Sequence, residues 1–211
     1  MRLLMLYGVN CTNKIWDYFK SYLEDFEVDY VEYPHDITLR ANEVEDISKW
    51  VYENYHHQSY QAVIGHSLGG IIALQLASKY KMKFDKIIYL DTNLKPAKEF
   101  YRNLMTPEHT KEFGEDILPM FQKERKFYTA KLFEAIQDEF DYTKYLKGLT
   151  QKVYAIYGDR NQPEYGDKIN DLNLSNEILA KLELRFIKNS CHMIMIENPR
   201  QLYETIKGIL E

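Results

Sequence analysis

Gln61-Ala62-Val63-Ile64-Gly65-His66-Ser67-Leu68-Gly69-Gly70, followed by Ile71-Ile72-Ala73-Leu74-Gln75-Leu76-Ala77, decides how this chain reads. A short apolar run with β-branched residues stops at a glycine. One serine follows between turn-permissive neighbours, and an apolar helix starts at once. That order predicts strand, sharp turn and helix, with Gly65-x-Ser67-x-Gly69 at the bend. Small residues two positions away on either side let strand and helix close on each other and leave the serine hydroxyl projecting. The helix start aims free backbone N–H groups, led by that of Leu68, at the space beside Ser67, where a developing oxyanion would be stabilised. The plainer reading is a glycine-rich turn whose serine caps the helix. The chemical reading requires an acid and a histidine further along.

Upstream, Arg2–Tyr7 reads as a buried strand ending at Gly8, and Val9-Asn10-Cys11-Thr12-Asn13 as the loop after it. Ile15, Trp16, Phe19 and Leu23 recur at helical steps, Val28–Tyr33 reads as a second strand, and Leu39–Tyr55 as an amphipathic helix. Downstream, the first helix runs to about Tyr80, and Lys86–Leu90 is a strand ending at Asp91. From Asp91 to about Leu149 the alternation breaks. Pro96, Pro107 and Pro119 punctuate a charged, aromatic stretch that predicts several short helices. Alternation returns with strands at Lys152–Tyr157 and Leu184–Ile187, a helix around Ser175–Leu182 and a last helix from Pro199. Strands alternating with amphipathic helices imply a mostly parallel sheet covered on both faces.

With 211 residues, 45% of them hydrophobic and 28% charged, the chain is sized for one domain with a substantial core. A formal net charge of −5 leaves no basic surplus for nucleic acid. No run approaches a membrane span or a signal h-region, so no membrane partner is expected. Two cysteines, Cys11 and Cys191, give no disulfide framework and suit a reducing cytoplasm. No metal-ligand spacing, phosphate loop or G-x-G-x-x-G pattern appears, so neither a metal nor a cofactor is expected. The expected partner is a small-molecule substrate, with a homodimer left open.

The elbow, in this strand–helix setting, resembles that of the α/β-hydrolases. Ser190-Cys191-His192-Met193 with Glu197-Asn198-Pro199 resembles the family's C-terminal histidine segment. The resemblance implies an α/β-hydrolase fold that starts at the family's third strand, lacking the first two, with one sheet edge less protected than usual. It divides the chain into a core of residues 1–93 and 150–211 and a helical cap at 94–149. Ser67 is then the nucleophile and His192 its general base, with no cofactor. The family's usual acid position, glycine plus three in Gly158-Asp159-Arg160-Asn161, holds Asn161 here. The acid is therefore Asp159 in the same loop, or Asp91 at the end of the strand after the elbow, or Asn161 orients the imidazole as an amide. Each option preserves the order nucleophile, acid, histidine.

The second oxyanion donor is the Val9 N–H, beside Leu68, in a Tyr7-Gly8-Val9 loop where the family usually has His-Gly. His66 is expected to point away from the nucleophile as a packing or orienting residue. Cys11 and Cys191 fall near the pocket, but neither sits on an elbow, so small buried thiols are expected. The implied activity is hydrolysis of a small, partly apolar carboxylic ester. A thioesterase, lactonase, amidase or carbon–carbon hydrolase is the alternative within enzymes. Outside them, the alternative is a ligand-binding homologue whose acid has decayed to Asn161.

Overall fold

In a computed structural model describing residues 1–211, six strands form one parallel sheet in the order β2-β1-β3-β4-β5-β6. The strands are β1 Arg2–Leu6, β2 Glu27–Tyr30, β3 Ala62–His66, β4 Lys86–Leu90, β5 Val153–Gly158 and β6 Leu182–Ile187. Ten α-helices intervene: α1 Asp17–Lys20, α2 His35–Thr38, α3 Val44–Tyr55, α4 Leu68–Ser78, α5 Pro107–Glu124, α6 Ala130–Gln137, α7 Lys144–Lys147, α8 Asn176–Leu179, α9 Ile194–Glu197 and α10 Pro199–Leu210.

The chain steps one way from β1 to β2 and then turns back through β3 to β6. Right-handed crossovers therefore send the α1 region to one face and α3, α4 and the later connections to the other. Packing agrees, since α1 touches α9 and α10 while α4 packs on α3, β3 and β4. The direction reverses between β1 and β3, so the loops after those two strands splay apart and leave a crevice at their carboxyl ends. Register brings Leu6 beside Gly65, His66 beside Leu90, and Leu90 beside Ile156. Gly8, Ser67 and Asp91, which follow their strands, and Gly158, the last residue of β5, thus gather at one end of the sheet.

Helix α4 has no polar face, and every residue from Leu68 to Ala77 is buried. The polar side chain in its middle, Gln75, accepts from Ser48 Oγ at 2.6 Å and donates to Tyr145 Oη at 3.1 Å, tying α3, α4 and α7 together. The amphipathic α10 buries Leu202, Ile206 and Ile209, and Asn198 Oδ1 caps it by accepting from Gln201 N at 3.2 Å. Both outer strands carry charge, Glu27 and Asp29 on the four-residue β2 and Glu183 and Arg185 on β6, which discourages pairing with a second chain.

Three local expectations need correction. Ile15, Trp16, Phe19 and Leu23 lie on a 3₁₀ turn, the four-residue α1 and a second 3₁₀ turn rather than on one helix. Helix α3 starts at Val44, not Leu39, because Asp46 Oδ2 accepts from Asn42 N at 2.8 Å and Glu43 N at 3.1 Å and fixes the start there. The stretch between β4 and β5 is helical as expected but contains the 18-residue α5. Pro107 opens that helix at its first turn, capped by Thr106, while Pro119 sits inside it, so neither proline marks a break. No helix is long and apolar enough to cross a membrane.

Candidate active site

Ser67 sits between β3 and α4 with φ 53° and ψ −120°, a conformation that L residues rarely adopt. Close packing holds it there. A Cβ on Gly65 would lie 2.2 Å from Gly69 O, and one on Gly69 would lie 2.4 Å from Leu6 O. Thr92 Oγ1 donates to Ser67 O at 2.9 Å, and Ser67 N donates to Leu90 O at 3.0 Å. Helix α4 begins at Leu68, whose N–H has no protein partner, and the same holds for Val9 N–H in the loop after β1. Gly8 presses that loop onto the serine, since a Cβ there would come 2.7 Å from Ser67 Cβ. Tyr7, in the place of the family's histidine, turns toward β2: its hydroxyl accepts from Tyr33 N at 2.8 Å and donates to Glu32 Oε1 at 3.2 Å.

His192 follows β6, and its Nδ1 lies 3.1 Å from Asp91 Oδ1. A carboxylate only accepts, so Nδ1 carries the proton and Nε2 keeps its lone pair. Asp91 also has a positive φ, 43°, and is fully buried. Arg160 holds it in a two-pronged ion pair, Nη2 to Oδ1 at 2.6 Å and Nη1 to Oδ2 at 2.7 Å, and Gly158 N adds a bond to Oδ2 at 3.0 Å. Burial alone would raise the Asp91 carboxyl, but the Arg160 guanidinium and the His192 hydrogen bond outweigh it and hold the group well below the usual carboxylate range.

The structure brings His192 to Asp91 and not to Asp159 or Asn161. Asp159 Oδ1 accepts from Asn161 N and Asn189 N, each at 2.8 Å, and so braces its own loop against the turn after β6. The Asn161 side chain is exposed and makes no hydrogen bond. Arg160, which the sequence left as a neighbour of Asp159, is the residue missed. It spans 69 positions to reach Asp91, a pairing that no local pattern announces.

His66 lies beneath His192, ring centroids 4.6 Å apart, and its Nε2 donates to His192 O at 3.0 Å. Burial first, and then the neighbouring His192, lower its pKa to about 3, so this imidazole is neutral and orients the loop. Cys11 and Cys191 are buried free thiols. Burial raises both, Cys191 to about 12, so neither is a thiolate near neutrality.

Glu197 is a second residue the sequence did not single out. Its signal was a lone carboxylate closing the apolar run Met193-Ile194-Met195-Ile196, which burial obliges to find donors. Oε2 accepts from Cys191 N at 2.7 Å, and Oε1 accepts from Thr106 N at 2.8 Å and faces His109 Nδ1 at 3.2 Å. The His192 N–H itself donates to Leu104 O at 3.0 Å. One carboxylate therefore joins the start of α5 to the loop bearing His192. Glu197→Gln replaces an acceptor oxygen with a donor, leaving one of three N–H groups unpaired. Urea unfolding is expected to show a loss of about 1–3 kcal/mol, and an unchanged midpoint would refute the linking role.

Ser67, Asp91 and His192 line one cavity of about 460 Å³, walled by Leu68, Ile71, Ile136 and Phe140 and by the polar side chains Asn93, Arg102 and Gln137. The floor of this cavity is the carboxyl end of the sheet, and its roof comes from the β4–β5 connection.

The family model described as Esterase matches residues 40–145, half of the chain, a span that includes Ser67 and Asp91 and stops short of His192. The chain belongs to this esterase family, and its fold is that of the α/β-hydrolases. A search of the curated proteins found no match. Among solved structures, a carboxylesterase of Nitrososphaera gargenis is 21% identical, with a TM-score of 0.66 over 99% of this chain and 89% of its own. A hydrolase from Oleispira antarctica reaches a TM-score of 0.76 at 14% identity, covering 99% of this chain and 90% of that one. A bromoperoxidase from Bacillus anthracis gives 0.75 at 13% identity over 99% and 91%. Esterase and peroxidase thus share this scaffold, and the scaffold alone does not select the chemistry.

Proposed function

We propose that this chain is a serine hydrolase that cleaves a small, partly apolar carboxylic ester through an acyl-enzyme on Ser67. The observation that carries the reading is the convergence of a strained serine, the unpaired Leu68 N–H and a histidine backed by a buried carboxylate around one cavity. His192, with Nδ1–H given to Asp91, takes the Ser67 proton at Nε2 as the hydroxyl attacks the ester carbonyl. The Leu68 and Val9 N–H groups receive the negative charge that develops on the carbonyl oxygen. His192 returns its proton to the leaving alcohol, and the same imidazole then activates water to release the acid. Asp91 is the acid in this scheme, and Arg160 fixes both its orientation and its ionisation. Residues 94–149 serve as a helical cap whose apolar side chains favour hydrocarbon on the substrate. The two free thiols suit a cytoplasmic setting.

The test combines fluorophosphonate labelling with hydrolysis of p-nitrophenyl acetate and butyrate. The wild type is expected to label stoichiometrically and to turn over at least one ester. Ser67→Ala should lose the label and about 10⁶-fold in kcat while unfolding at the same urea concentration. A wild type that neither labels nor turns over would favour a ligand-binding homologue. Turnover retained in Ser67→Ala would put the nucleophile elsewhere.

A further inference from the structure

The charge balance of the cavity carries one step further, and it rests on the hydrolase reading above. Of the ionisable groups on the wall, Asp91 is already matched by the two-pronged Arg160, and His192 is turned toward Asp91. The Tyr101 hydroxyl donates away from the cavity, to Lys168 O at 2.6 Å. Arg102 remains. Its side chain makes no salt bridge and no hydrogen bond, although acidic residues outnumber basic ones in the chain by 32 to 27. Its backbone is nevertheless fixed beside the reacting groups: Arg102 N donates to Glu99 O at 3.0 Å, and the next two carbonyls, of Asn103 and Leu104, both receive the His192 N–H.

One amide on this wall lacks a partner: Asn93 Oδ1 is buried with no hydrogen bond, while the Gln137 side chain is exposed at the rim. A buried polar atom left unpaired is costly, and a group that completes it on binding recovers that cost. Ile71, Ile136 and Phe140 supply an apolar surface beside these three polar groups. An exposed cation with no protein partner, one buried unpaired amide oxygen and a short hydrocarbon wall complement a chain of a few methylenes that ends in an anion.

We infer that the substrate is an ester carrying a free carboxylate, such as a monoester of a short dicarboxylic acid, with Arg102 binding the carboxylate while Ser67 attacks the ester carbonyl. Arg102 acts on binding and on specificity, not on the reacting bonds. A guanidinium pairs with a carboxylate through two parallel hydrogen bonds, so a glutamine in its place loses both charge and fork. A cationic ester is disfavoured by the same residue.

The experiment measures kcat/KM for p-nitrophenyl butyrate and for mono-p-nitrophenyl glutarate with wild type, Arg102→Gln and the surface control Arg200→Gln. The ratio of anionic to neutral ester is expected to fall about tenfold in Arg102→Gln. It should hold in Arg200→Gln and shrink with added NaCl in the wild type. An equal ratio in wild type and Arg102→Gln overturns the inference. Thermal unfolding with free glutarate separates this inference from the hydrolase reading. A glutarate-dependent rise in Tm that Arg102→Gln abolishes supports the carboxylate site even if no ester turns over and Ser67 does not label. No rise, or the same rise in both proteins, overturns it.

Discussion

Asp91→Asn is expected to lower kcat for p-nitrophenyl butyrate by about 10⁴-fold, the scale of loss when an amide replaces the carboxylate of a Ser-His-Asp triad. The amide can donate as well as accept, so the His192 Nδ1 proton loses its fixed acceptor, and the imidazolium formed during attack loses its counter-charge. Asp159→Asn should leave kcat near the wild-type value, because an amide oxygen can still receive the Asn161 and Asn189 N–H groups that Asp159 holds at 2.8 Å. The opposite pattern would move the acid to Asp159. Asp91→Asn also leaves the Arg160 guanidinium buried without its counter-ion, so activity must be read well below the unfolding transition. The double variant Asp91→Asn/Arg160→Met removes that stranded cation. It should recover stability without recovering rate, which separates the catalytic loss from the structural one.

Arg160→Leu carries the largest expected effect on stability. Its side chain is 1% exposed and that of Asp91 is fully buried, so the variant strands a carboxylate in the interior. Breaking a buried pair from one side costs about 3–5 kcal/mol, measured here as the shift in urea unfolding at pH 7. The pH dependence follows from the sign of the Asp91 shift. In the wild type its carboxyl lies below the ordinary 3.8, so its contribution is complete above that value and is lost as the pH falls through the folded-state value. Without Arg160, burial dominates and raises the group. The folded variant then takes up a proton on acidification, and the gap to wild type is expected to narrow between pH 7 and pH 5. A gap that stays constant would mean that Asp91 does not depend on Arg160 for its ionisation.

Which parts of this molecule can be read from the chain depends on how local their determinants are. Ser67 and His192 stand in short segments whose neighbours enforce them. Gly65 and Gly69 lack bulk because backbone carbonyls lie within 2.4 Å of where a Cβ would be, and that requirement is visible as two glycines. The core strands announce themselves as apolar runs because a parallel sheet buries both faces. The proposed acid was not legible in this way. Asp91, Asp159 and Asn161 all follow strands that end on the same side of the sheet, so connectivity leaves them equal. What separates them is the destination of one long side chain, Arg160, which folds back over Asp91 and leaves Asp159 to the backbone. The first helical segment misled because 3₁₀ and α turns present nearly the same three- and four-residue spacing over a dozen residues. Pro119 misled because a proline inside a long helix costs only local hydrogen bonding, which eighteen residues of packing can outweigh.

The grip of Leu104 O on the His192 N–H, together with the Glu197 link to Thr106, has a consequence for redesign. Residues 103–109 contact the histidine loop directly, and a graft that replaces them is expected to carry that loop away with them. The far end of the insertion is pinned to its own start, where Tyr142 N donates to Leu94 O at 2.8 Å. The stretch between these two seams, from the middle of α5 through α6, touches the rest of the chain through Glu124 with His35 and Thr129 with Ala41, and a redesign of it keeps those two contacts. A library confined to it can vary substrate range while the reacting groups keep their places.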